Sequence, residues 1–250
     1  KVDGERVAAI LTEAAKDGTG AVVGEAALQI LDAYGIPVAG YLYADSPARA
    51  VAAAKKIGYP VVMKIASPSL LHKTEIGAVM VDLRTDKEIK DGFAELKRRA
   101  AKVKSTEPFS VALQRMVPGG VETVIGMTTD PSFGPLVMFG LGGIYVEVLK
   151  DVTFRINPLT TQDAKEMIRQ LRSYPLLTGF RGAPAVNLTI IEEALLRVSQ
   201  LVRDFQTIAE VDINPFIVSA TPEDCRAVDA RFIVRDTQLP RKKRNKEGLP

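Results

Sequence analysis

Asp212 and Asn214 stand two residues apart in the run Glu210-Val211-Asp212-Ile213-Asn214-Pro215. On an extended strand that spacing sends both side chains to one face, while Val211 and Ile213 enter the other. Two oxygen donors on one face suit a hard cation. Asp229, in Ala227-Val228-Asp229-Ala230-Arg231, joins them if the two segments pair as in a hairpin. Magnesium takes one or two such ligands and completes its shell with phosphate oxygens and water. The same residues also fit a plainer description, a strand end closed by Asn-Pro with a surface aspartate. Lys64 poses a similar choice, as the lone cation in Val61-Val62-Met63-Lys64-Ile65. Burying an ammonium without a partner is expensive, so either it reaches a phosphate or the strand lies at an edge with its lysine in water.

Gln114-Arg115-Met116-Val117-Pro118-Gly119-Gly120 ends one apolar segment, and Val121-Glu122 opens the next. A hinge of this kind offers backbone groups to a purine edge and a carboxylate to ribose hydroxyls. His72, the only histidine, follows the Lys64 segment in a polar loop, with Lys73 beside it. Neutral imidazole exposes a nucleophilic nitrogen near pH 7, and histidine forms covalent intermediates in group transfer; an ordinary polar loop residue would look the same. Gly140-Leu141-Gly142-Gly143 is no dinucleotide fingerprint, because Tyr145 stands where the third glycine is needed and β-like residues follow. Lys73-Thr74 lacks the glycine that precedes the lysine of a P-loop, and no nucleophile elbow accompanies His72.

Composition narrows the field. The chain has 250 residues, 46% of them apolar, with a net charge of +3, enough for one or two ordinary cores. One cysteine, Cys225, and one histidine exclude an internal disulfide and a Cys/His metal cluster, so any metal is held mainly by oxygen. Arg241, Lys242, Lys243, Arg244 and Lys246 form a basic run with no interleaved aromatics, which reads as a solvated tail and not as a nucleic-acid site. No apolar run of membrane-spanning length or signal segment is visible, and a cytoplasmic location is expected.

Periodicity supplies the elements that must hold these residues. Helices are expected over Val7 to Ala14, ending at the Asp17-Gly18-Thr19-Gly20 turn, over Gly24 to Tyr34, from Ser46-Pro47 to Gly58, and over Asp86 to Val103, Thr161 to Leu171 and Thr189 to Phe205. Strands are expected at Tyr41-Leu42-Tyr43, Val61 to Ile65, Gly77 to Leu83, Val111 to Met116, Glu122 to Met127, Leu136 to Phe139, Val146 to Leu149, Ala209 to Val218 and Ala227 to Val234. The sum is an α+β protein: an N-terminal helix (1–20), a smaller lobe (21–115), a larger lobe (116–235) and a basic tail (236–250). A cleft between two such lobes is a common place to enclose a nucleotide.

Several runs, in one order from about residue 20 to 235, resemble a known family. They are Gly35-Ile36-Pro37-Val38, Tyr59-Pro60-Val61-Val62-Met63-Lys64, His72-Lys73-Thr74-Glu75-Ile76-Gly77, Phe133-Gly134-Pro135 through Gly142-Gly143-Ile144-Tyr145-Val146-Glu147, Asp212-Ile213-Asn214-Pro215 and Asp229-Ala230-Arg231. Together they are similar to the ATP-grasp subunit of ADP-forming acyl-CoA synthetases of the acetate–CoA ligase type. The resemblance implies an ATP-grasp fold, with two α/β lobes around a nucleotide cleft, and ATP/ADP with Mg2+ as cofactors. It implies that Lys64 binds ATP phosphates, that Gln114 and Val117 lie along the adenine, that Glu122 holds the ribose, and that Asn214 and Asp229 bind magnesium. Asp212 stands where the related succinyl-CoA synthetases carry glutamate. Arg155 becomes a candidate partner for the transferred phosphoryl group and His72 its acceptor, with Lys64, Lys73 and magnesium steadying the charge. No CoA-binding Rossmann domain is recognisable here. The family places it, with a second phosphohistidine, in an α subunit of an α2β2 assembly or in another part of a fused chain. A self-contained carboxylate–amine ligase and a nucleotide-sensing module are the competing expectations.

Overall fold

Val7, Leu11 and Ala14 recur on one face of α1 (Gly4–Lys16) and are buried there. The computed structural model describes residues 2–16, 20–66, 77–102, 108–117, 120–143, 146 and 148–235. After α1 come β1 (Ala21–Val23), α2 (Gly24–Ala33), β2 (Leu42–Ala44), α3 (Pro47–Ile57), β3 (Val61–Ile65), β4 (Val79–Leu83), α4 (Asp86–Ala100) and β5 (Val111–Arg115). The chain continues through β6 (Val121–Asp130), β7 (Gly134–Leu141), β8 (Val152–Ile156), α5 (Thr161–Arg169), α6 (Tyr174–Leu177), α7 (Leu188–Asp204), β9 (Ile208–Val218), β10 (Arg226–Ala227) and β11 (Ala230–Val234). Thr85 with Glu88 and Thr160 with Asp163 form capping boxes that satisfy the first free N–H groups of α4 and α5.

The strands make two sheets, ordered β2-β5-β3-β4 and β1-β11-β9-β6-β7-β8, with β10 paired to β9. In the smaller sheet Met63, Ile65, Val111 and Leu113 pack with Ala50, Ala54, Ile89, Phe93 and Leu96 into one core. The larger core gathers Ile125, Met127, Val137, Phe139, Val211, Ile213 and Phe232 with helix residues such as Leu31, Met167, Leu195 and Val198. The other face of each sheet turns away from these helices. Directly opposed residues share a face, so one row of the smaller sheet runs Tyr43, Ala112, Lys64, Val79. A row of the larger runs Arg231, Asp212, Gly126, Met138, Phe154.

Three differences from the sequence reading have physical causes. Residues 21–33 do not open the smaller lobe: β1 pairs with β11, and Ala27, Leu28, Ile30 and Leu31 of α2 enter the larger core. Val148 and Leu149 are exposed at a turn, and the strand forms later, over β8. The turn is fixed by Asp151, whose carboxylate accepts from the N–H groups of Arg172 and Ser173 at 3.0 and 2.8 Å. The last strand is split at Val228-Asp229 into β10 and β11, which leaves Asp229 free of the ladder's regular geometry.

Candidate functional site

The alternation of β9 is the one the sequence predicts, with Val211 and Ile213 buried and Asp212 and Asn214 on the exposed face. β11 brings Asp229 alongside: the Asn214 N–H donates to the Asp229 carbonyl at 3.2 Å, and Arg231 lies opposite Asp212. The Asp212 carboxyl is raised above the ordinary carboxylate range by desolvation, which Arg231 opposes and Asp229 reinforces. Such a carboxylate gains from a bound dication, which would favour its charged form. Among the described residues there is no cluster of three His, Cys, Asp or Glu side chains able to hold a metal. The donor set is two carboxylates and one amide oxygen, too few for a closed protein cage. It fits a hard cation that brings phosphate oxygens and water with it.

Lys64 is no edge-strand lysine. β3 lies between β5 and β4, and Lys64 is 8% exposed on the face of that sheet turned away from the helices. Its ammonium donates to the Tyr41 hydroxyl at 2.5 Å, stands 4.3 Å from the centre of the Tyr41 ring and lies 3.8 Å from an Asp229 carboxylate oxygen. Lys64 and Asp229 therefore meet across the cleft. A pocket of about 200 Å³ adjoins the ammonium, lined among others by Glu25, Tyr41, Tyr43, Ser110 and Ala112. The Tyr43 phenol is pushed up to about 12 by burial and by the Glu25 carboxylate, and Tyr41 is raised by burial and by Asp229. Both phenols remain neutral hydrogen-bonding groups at pH 7.

Gln114 is buried, and its amide nitrogen donates to the carbonyls of Ala39 and Val228 at 3.0 and 3.1 Å. Its Oε1 is buried and accepts no hydrogen bond. Val117 is half-buried in the connection to β6. Glu122 is exposed on β6 and lines a separate pocket of about 410 Å³ with Val121, Leu141, Gly142, Gly143, Leu176, Phe180 and Ala183. The linings of the two pockets share no residue.

Arg155 is not brought to this site. It pairs with Val137, a residue of the larger core, and so faces the helices while its neighbour Phe154 shares the face of Asp212. Its guanidinium is spent on α5, donating to Gln170 at 2.9 Å and pairing with Glu166 at 3.5 Å and Asp163 at 3.9 Å. The sequence offered no warning, because β8 itself went unrecognised and the alternation could not be phased. His72 and Lys73 lie outside the described residues. Tyr41 and Tyr43, by contrast, were missed although a signal existed. Two tyrosines two apart on a strand share a face, and their ring centres are 6.0 Å apart.

A family model described as the ATP-grasp domain matches residues 13–234. The chain is 42% identical over 225 residues to the β subunit of ADP-forming acetate–CoA ligase I of Pyrococcus furiosus, covering 90% of this chain and 96% of that one. It is 43% identical over 233 residues to the ADP-forming 4-hydroxybutyrate–CoA ligase of Nitrosopumilus maritimus, covering 93% of this chain but spanning only 33% of that longer protein. Among solved structures it is similar to a dinucleotide-forming acetyl-coenzyme A synthetase of Ca. Korarchaeum cryptofilum in complex with coenzyme A and Ca-AMPCP. That match has a TM-score of 0.85 and 40% identity, over 91% of this chain and 99% of the other. A second structure of that protein holds Mg-AMPPCP with a phosphohistidine segment pointing towards the nucleotide-binding site; it matches with a TM-score of 0.79 and 38% identity, over 92% of this chain and all of that one.

Proposed function

This chain belongs to the ATP-grasp family that includes the β subunits of ADP-forming acetate–CoA ligases, and from that premise we propose that it is the nucleotide-binding part of an ADP-forming acyl-CoA synthetase. The overall reaction interconverts acyl-CoA, ADP and phosphate with carboxylic acid, CoA and ATP. The observation that carries the reading is the meeting of a buried ammonium and a carboxylate across the cleft, Lys64 to Asp229 at 3.8 Å, with Asp212 and Asn214 on the neighbouring face.

In that cleft Lys64 would bind nucleotide phosphate as a point charge. Asn214 and Asp229, with Asp212 beside them, would hold magnesium, which supplies neutralisation of the phosphate oxygens when bound. Gln114 and Val117 would lie along the purine, and Glu122 would take the ribose hydroxyls. In the direction of ATP formation, a phosphohistidine at His72 gives its phosphoryl group to ADP: the P–N bond breaks as a terminal ADP oxygen forms the new P–O bond, and the imidazole is left neutral after taking a proton. A second phosphohistidine, on a CoA-binding α subunit or fused domain, would recharge His72 from the acyl phosphate. The β-subunit relative and the longer relative, of which this chain spans 33%, support either arrangement, and α2β2 is the assembly expected for separate subunits.

The test is to combine the chain with its CoA-binding partner and radiolabelled ATP with magnesium. Acid-labile, base-stable label that His72→Ala abolishes is expected, together with ATP formation from acetyl-CoA, ADP and phosphate. Full turnover by the His72→Ala enzyme would remove the relay from the mechanism.

A further inference from the structure

We propose that Tyr41 is the positioning residue of this site: its hydroxyl and ring hold the Lys64 ammonium beside Val228-Asp229, so that the phosphate-binding cation and the metal-binding carboxylate are presented together but apart. The proposal rests on the nucleotide reading above and names a residue that reading does not use.

The bonds at Tyr41 have one consistent direction. A phenol carries one proton, and here it is donated to the Val228 carbonyl at 2.9 Å. The oxygen's lone pairs are left for Lys64, which donates at 2.5 Å. The ring adds a second hold, since the ammonium lies 4.3 Å from its centre, within reach of the ring's negative face. Val228 is anchored in turn, because its carbonyl also accepts from Gln114 at 3.1 Å. Tyr41 thus connects β3, through Lys64, with the segment between β10 and β11 that carries Asp229.

Two consequences follow for binding. A lysine stem is flexible, and an ammonium already held in place loses less freedom when a phosphate arrives. The second concerns Asp229, whose carboxylate oxygen is 3.8 Å from the same ammonium. Without the Tyr41 hydroxyl, one of the holds that keep Lys64 off Asp229 is lost, and the two can close to a contact ion pair. Phosphate and metal would then have to break that pair before either could bind.

The experiment is a double-mutant cycle on the full chain, with whichever partner it purifies with. Mg-ADP is titrated calorimetrically onto the native protein, Tyr41→Phe, Lys64→Met and the double variant. Phenylalanine keeps the ring and the shape, and melting curves confirm folding; a variant that melts early is titrated well below its midpoint. Tyr41→Phe is expected to weaken binding about tenfold, equivalent to about 1.4 kcal/mol. Lys64→Met is expected to weaken it more, and adding Tyr41→Phe to Lys64→Met should change nothing further, because the tyrosine acts through the lysine. If Tyr41→Phe binds as the native protein does, or its effect simply adds to that of Lys64→Met, Tyr41 is not a positioning residue and the nucleotide reading stands. If Lys64→Met itself binds Mg-ADP normally, Lys64 does not carry the phosphate and this proposal fails while the nucleotide reading stands; if the native protein binds no Mg-ADP, it is the nucleotide reading that fails.

Discussion

Asn214 contributes an amide oxygen to the exposed face of β9 and fills no core, so its removal tests the proposed metal binding apart from folding. Asn214→Ala should weaken ADP binding on the order of tenfold in magnesium, about 1.4 kcal/mol, and leave affinity in excess chelator unchanged. Melting should stay close to the native curve, since a surface substitution usually moves stability by less than about 0.5 kcal/mol. Titration in both buffers decides it, and equal losses with and without magnesium would show that Asn214 serves something other than a cation. The shared face of Asp212 and Asn214 was legible in the sequence because it follows from one local period: the two need only strand geometry to face the same way. Lys64 was legible as an anomaly, a charge in an apolar run. Arg155 was misread because a guanidinium satisfied by Gln170, Glu166 and Asp163 cannot be told from a free one until the phase of β8 is known.

The elements divide in the same way between what is local and what is not. The capped α4 and α5, and the apolar β3 and β5, were recognisable because each carries its own signal. β1 is three residues long and exists only because β11 pairs with it from more than two hundred residues away, a partner no local pattern announces. The expected strand at Val146 to Leu149 shows the opposite error: Val148 and Leu149 are apolar letters without a strand, because the pattern does not reveal whether a neighbour is there to cover them. One helix also makes a quantitative statement about pH. Near the end of α4, Glu95 is lowered to about 2 by hydrogen bonds from Arg98 and Arg99, and Arg99 donates as well to the Gly77 carbonyl. A carboxyl depressed on folding contributes stability above its ordinary pKa, near 4.5, and loses it as the pH falls through the folded value near 2. Glu95→Gln should therefore lower the melting temperature at neutral pH, and the two proteins should converge as the pH approaches 2. A difference that persists undiminished into acid would mean that the stabilisation is packing, not charge.

Over the whole molecule, the two lobes have separate cores, and among the described residues side chains such as Tyr41, Lys64 and Gln114 cross between them. Gln114 is the most buried of these. It leaves β5 of the smaller sheet and donates to Ala39 and Val228, while Ala39 is itself held by the Ala227 carbonyl at 2.8 Å. At a more exposed point Arg115 approaches Asp224 at 3.9 Å, a contact of the kind that contributes little. Gln114→Met keeps the length of the side chain and removes both donors. Unpaired buried carbonyls cost about 1–3 kcal/mol each; Val228 keeps its bond from Tyr41, and loss of the unbonded Oε1 offsets part of the rest. A net loss of roughly 1–2 kcal/mol is expected from these terms, which lowers the melting temperature by roughly 2–8 °C in a chain of this size. Bound nucleotide should restore the join, because a ligand at a hundred times its dissociation constant stabilises the folded state by about 2.7 kcal/mol. If Gln114 served only to tie the lobes, Mg-ADP at a fixed multiple of each protein's own dissociation constant would raise both melting curves by the same amount, and the affinities themselves would agree. If its Oε1 also meets the purine, as its place near the end of β5 beside the connection between the lobes suggests, the variant binds ADP more weakly and ADP loses its advantage over a nucleotide lacking the exocyclic amine. Melting curves and titrations of the two proteins with ADP and IDP distinguish these outcomes, and unchanged stability together with unchanged affinity would remove Gln114 from both the join and the site.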